Sequence, residues 1–73
     1  MTSLLSRAKP QLKEAIAAFS IKYPNSAQNV ERRLSEAFGV YYLSYGIMME
    51  LRTIVRSADL VFDINDPWEW FED

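Results

Sequence analysis

The chain has 73 residues, 49% of them hydrophobic and 25% charged, with a formal net charge of −2 and neither cysteine nor histidine. That length holds one domain, spanning 1–73, and domains this small bury a modest share of their surface and are helped by a staple. Disulfides, Cys/His zinc sites and haem ligation are excluded by composition, which leaves self-association as the staple; no cofactor and no metal is expected.

The N-terminal stretch MTSLLSRAKP has no apolar run long enough for a signal peptide. The most apolar stretch, Ala37 to Met49, contains two glycines and falls short of the roughly 20 residues that a bilayer-spanning helix needs. A cytoplasmic protein without membrane contact is the expectation.

The first predicted element is an amphipathic helix. Leu5, Ala8, Leu12, Ala15, Phe19 and Tyr23 recur at spacings of three and four, which stacks them on one face. Pro10 lacks an amide proton and disfavours helical dihedrals at Lys9, so the helix either starts near Pro10 or kinks there. The tetrapeptide YPNS ends it, and Asn25 or Ser26 is placed to cap the next helix. So short a connection makes the two helices antiparallel neighbours.

From Ala27 the positions Val30, Leu34, Ala37, Tyr41, Ser44, Met48, Leu51, Val55, Ala58 and Phe62 alternate three and four apart without a slip, a heptad seam. Val40, Leu43, Ile47, Ile54 and Val61 form a second stripe, and between Phe38 and Met49 the pattern is apolar nearly all round, as for a helix enclosed in a bundle. One unbroken second helix would be about 50 Å long at 1.5 Å per residue, far more than the first helix covers. The surplus then requires a second copy, with Val30, Leu34, Tyr41, Tyr45, Met48, Leu51 and Val55 at the oligomer interface. Gly39 and Gly46 offer the rival reading: glycine costs about 1 kcal/mol inside a helix relative to alanine, and a break at either gives a monomeric three-helix bundle.

Charge is unevenly spread. Residues 1–58 hold all eight Lys and Arg and four Glu, a sum of +4, whereas residues 59–73 hold six acids and no base, a sum of −6. Within this acidic, aromatic segment DPWEWFED predicts a short terminal helical turn, with Asp66 as cap, Pro67 at the first helical position and Glu69 near the positive helix end. Trp68 and Phe71 share a face and Trp70 points elsewhere, so one turn does not bury all three rings. Aromatic anchors among acids suit docking onto a basic groove of another protein, which makes Asp63, Asp66, Trp68, Glu69, Trp70, Phe71 and Glu72 the candidate partner-binding residues. The competing reading is intramolecular: the rings cap the core and the acids pair with Arg32, Arg33, Arg52 or Arg56. A calcium loop starting at Asp63 fails, because Pro67 and Trp68 occupy its fifth and sixth places.

Without His or Cys the usual general bases and activated nucleophiles are missing, and Tyr41, Tyr42 and Tyr45 at helical spacing read as core, so no catalytic residue is expected. LSEAFGV has a faint helix-turn-helix rhythm, but the following YYLSYGIMMELR puts aromatic and aliphatic groups where base-reading and phosphate-binding ones belong. The expectation is an all-α helical hairpin with a long second helix, assembling as a dimeric four-helix bundle and acting as a non-enzymatic adaptor or inhibitor; a DNA-binding regulator is the alternative.

Overall fold

Prolines and hydroxyls set where the helices of this chain begin. The computed structural model describes residues 2–39 and 42–72. Its helices are α1 (Leu4–Arg7), α2 (Pro10–Lys22), α3 (Pro24–Glu36) and α4 (Tyr45–Ser57), followed by one 3-10 turn, η1 (Pro67–Trp70). The described residues form no strand, only an isolated antiparallel bridge between Ala8 and Phe71, so the fold is all-α. No helix among them is long and apolar enough to cross a membrane.

Ser3 caps α1, its side-chain oxygen accepting from the Ser6 amide. Lys9, held extended by the proline that follows, separates α1 from α2 (φ −61, ψ 150). Pro10 and Pro24 each occupy the first turn of a helix, where a missing N–H costs nothing and a fixed φ is already helical. Pro24 also moves the start of α3 ahead of the expected caps: Tyr23 takes the cap position without a side-chain bond, and Asn25 and Ser26 lie inside the helix.

The long second helix does not form. The chain leaves the helix at Ala37 (φ −97, ψ 142), bends through Phe38 and Gly39, and re-enters at Tyr45, with the Ser44 hydroxyl oxygen accepting from the Ile47 amide at 3.3 Å. Gly39 lies in the break, as the rival reading required; Gly46 remains in the first turn of α4. The physical reason is packing. Two 13-residue helices that fold back place both halves of the seam in one core, and Val30, Leu34, Leu51 and Val55 are between 0 and 2% exposed. The longest dimension of the molecule is 30 Å, against the roughly 50 Å an unbroken helix demands. A radius of gyration of 10.9 Å is what one close-packed chain of this length gives. The apolar surplus that was to be covered by a second copy is thus covered largely by the chain itself.

The ends of the helices are tied to other segments. The Ala37 carbonyl, just past α3, accepts from the Leu4 amide at 2.8 Å, which satisfies an end of α3 and an end of α1 together. Helix α4 closes with a Schellman motif. Asp59 sits in the left-handed region (φ 56), its amide donates to the Arg56 carbonyl, and the Leu60 amide donates to the Val55 carbonyl at 3.2 Å. The reversal sends residues 60–63 back along the core without helical structure, to a turn at Ile64 and Asn65. Leu60, Phe62 and Ile64 pack against the core while Val61 between them is fully exposed.

Candidate functional site

The C-terminal segment is the region that sequence chemistry singles out, and the fold divides its residues sharply. Trp70 is completely buried and Phe71 is 6% exposed, both inside the central cluster with Leu4, Leu12, Leu34 and Leu51. The indole N–H of Trp70 donates to the Asp63 carbonyl at 3.2 Å, and its ring stacks on Phe62 with centroids 6.5 Å apart. These two rings are core, whereas the sequence reading set them among the partner-binding residues. Trp68, by contrast, is 47% exposed. The shared face with Phe71 expected from helical spacing is lost, because the turn ends at Trp70 and the backbone is extended at Phe71 (φ −126, ψ 148).

The acids lie around this turn. Asp63 is exposed, and its Oδ1 accepts from the Asn65 amide at 2.9 Å, which shapes the bend leading to η1. Asp66 is half-buried and acts through its carbonyl, which accepts from the Glu69 amide at 3.1 Å; its side chain makes no cap bond, contrary to expectation. The side chains of Glu69 and Glu72 are exposed. Among the described residues no group of three acids is placed to hold a metal ion.

What holds the segment down was not among the candidates. The Arg7 carbonyl accepts from the Glu72 amide at 2.6 Å, and the Lys9 amide donates to the Trp70 carbonyl at 3.0 Å, forming the short antiparallel pairing around Ala8 and Phe71. The Arg7 guanidinium adds a fork: Nε donates to the Glu72 carbonyl at 2.9 Å and Nη1 to the Phe38 carbonyl at 3.4 Å. One cation therefore joins α1, the α3–α4 connection and the chain's C-terminal end. The Lys9 ammonium lies 5.8 Å from the centroid of the Phe62 ring, a further tie between the α1–α2 junction and the returning segment. No periodicity signals a partnership across 65 positions.

A second surface runs along the start of α4. Phe38 is 47% exposed, Tyr42 81%, Tyr45 77% and Met49 42%. The expectation that this stretch is enclosed on all sides is overturned for its described residues, Tyr42 and Tyr45 among them. Once the helix is broken, Ile47, Leu51, Ile54 and Val55 of α4 are buried, with Met48 packed against them at the margin of the core. Of the seven expected interface residues, Val30, Leu34, Leu51 and Val55 are sealed in this chain's core, Met48 is half-buried, Tyr45 is exposed, and Tyr41 lies outside the described residues. The helix-turn-helix alternative placed a reading helix directly after Gly39. The connection between α3 and α4 instead spans residues 37–44, well beyond the three or four residues of that motif's turn.

Two hollows open on the described surface. An open groove of about 480 Å³ between α2, α3 and α4 is lined by Phe19, Tyr23, Ser26, Thr53 and Ser57, with Lys22 as its charged member. A smaller one, about 180 Å³, lies beside Arg33, Glu36 and Tyr42. No protein-family model matches this chain, and no curated protein and no solved structure matches it.

Proposed function

We propose that the chain is a non-enzymatic protein–protein interaction module, an adaptor or inhibitor, which docks its acidic C-terminal edge onto a basic groove of a partner protein. The observation that carries this reading is the state of Trp68. It stands 47% exposed on a turn whose two neighbouring rings, Trp70 and Phe71, are locked in the core. A ring presented on a fixed turn loses little conformational freedom on binding, and so contributes more of its contact energy to affinity. Asp63, Asp66, Glu69 and Glu72 flank it in sequence, in a segment that has no base, and their negative charge steers approach and sets register toward a cationic surface.

The partner-binding set is thus Trp68 as the ring and Asp63, Asp66, Glu69 and Glu72 as the charges, with Trp70 and Phe71 serving as the anchor that positions them. Affinity capture with the intact chain, followed by mass spectrometry, tests the reading when repeated with Trp68→Ala and Glu69→Lys. Both changes are at exposed positions and leave the helical circular dichroism intact. A basic protein retained by the parent chain, lost with either variant and released as salt rises is the expected result. Retention of the same proteins by both variants refutes the proposal.

A further inference from the structure

The outward face of α4 carries an ordered pattern that the tail reading does not use. At 100° per residue, Tyr45, Met49, Arg52 and Arg56 fall within about 60° of one another, on the side of the helix away from its buried Ile47, Leu51, Ile54 and Val55. The stripe is polar in sequence: aromatic at its N-terminal end, thioether in the middle, cationic at its C-terminal end. Tyr42, just before the helix, extends the aromatic end and is 81% exposed. The Arg52 guanidinium lies along the stripe, with Nη1 3.7 Å from the Met49 sulfur.

We infer that this face pairs with the same face of a second copy of the chain, the two α4 helices running antiparallel across a two-fold axis at Met49. A two-fold interface must be complementary to itself, each patch meeting its own image. A parallel pairing fails that condition, because it sets Arg52 and Arg56 against their own copies. The antiparallel pairing meets it. At 1.5 Å per residue, Tyr45 lies about 6 Å from the axis on the side where the partner's Arg52 lies at about 4.5 Å. The Arg52 guanidinium is thereby offered the face of the Tyr45 ring, and each methionine the other methionine. Tyr and Arg are also the residue types that concentrate binding energy at interfaces. Two tyrosines exposed to this degree contribute roughly 300 Å² per copy, so with Met49 and the arginine stems the contact sits at the small end of specific interfaces. The dimer therefore forms reversibly. It is distinct from the seam that the sequence pattern advertised, whose aliphatic members are inside the fold.

The chain has no cysteine, so a single introduced thiol reports the geometry directly. Met49→Cys is expected to give a covalent dimer under mild oxidation, much faster than Gln11→Cys at an exposed position on α2, because residues on a two-fold axis face each other. Sedimentation of the unmodified chain is expected to show its average mass rising from monomer toward dimer between about 10 and 500 µM, the range fitting so small a contact. Tyr45→Ala and Arg52→Ala, with unchanged circular dichroism, each shift that rise to at least several-fold higher concentration. A chain that stays monomeric throughout, a Met49→Cys variant that cross-links no faster than Gln11→Cys, or a dimer indifferent to Tyr45→Ala overturns the inference.

Discussion

Replacing Trp70 with alanine tests the central structural claim, that the acidic tail is anchored by its own core residues. The indole is completely buried and its N–H donates to the Asp63 carbonyl. Truncating a buried Trp or Phe to Ala costs about 3–5 kcal/mol, the spread reflecting how far the surroundings collapse into the cavity. The lost hydrogen bond adds about 1 kcal/mol, less if water reaches the carbonyl that it leaves behind. A chain of 73 residues is stable by about 4–11 kcal/mol in all, so the substitution removes from about a third of the total up to all of it. In melting temperature that corresponds to a drop of roughly 15–50 °C. Trp68→Ala, at a site half exposed to solvent, is the internal control and costs about 1 kcal/mol or less. Urea denaturation followed by far-ultraviolet circular dichroism, with both variants and the parent chain under one buffer, measures the difference. A Trp70→Ala variant within 1 kcal/mol of the parent, or less affected than Trp68→Ala, refutes the assignment of Trp70 to the core.

Other consequences follow from the same contacts. Arg7→Ala removes the fork that reaches Glu72 and Phe38, and is expected to cost about 1–3 kcal/mol, since hydrogen bonds from charged donors exceed neutral ones. Hydrogen exchange at the Lys9 and Glu72 amides, whose carbonyl acceptors are Trp70 and Arg7, should accelerate more than exchange in α2. Arg7→Lys should fail to restore them, because an ammonium has no planar fork; equal protection in all three proteins would show that the fork does not hold the tail. Asp59 combines a left-handed backbone with a negative charge at the carbonyl end of α4. Asp59→Gly relieves both and is expected to stabilise by about 0.5–1 kcal/mol, whereas Asp59→Asn relieves the charge alone and gains less. A thermal melt that ranks Asp59→Gly at or below the parent contradicts this account of the helix end.

The arrangement of the tail has a consequence for how charge is presented. Because Trp70, Phe71 and the Arg7 pairing bind the segment through rings and main-chain atoms, the carboxylates of Glu69 and Glu72 are left facing solvent. Tail docking and acidic presentation are therefore one structural event. A variant that frees the tail should lose partner binding even with every acid in place.

Much was legible in the sequence. The three-and-four spacing identifies helices and their inner faces, since side-chain direction in a helix follows from backbone geometry alone: Leu12 and Ala15 of α2, Val30 and Leu34 of α3, and Leu51 and Val55 of α4 are all buried as their positions imply. Pro10 and Pro67 mark element starts, and the terminal turn is where DPWEWFED places it. Three matters were decided only by tertiary structure. A heptad phase that resumes after residues 37–44 reads the same whether the helix continues or folds back on itself, because both arrangements bring the same residues to a core. Whether a tryptophan anchors inward or projects outward depends on which elements the chain's return path meets, and that is why Trp70 is interior and Trp68 is not. The grip of Arg7 on Glu72 is a contact between distant positions, set by where folding brings the two ends of the chain and by no pattern within either.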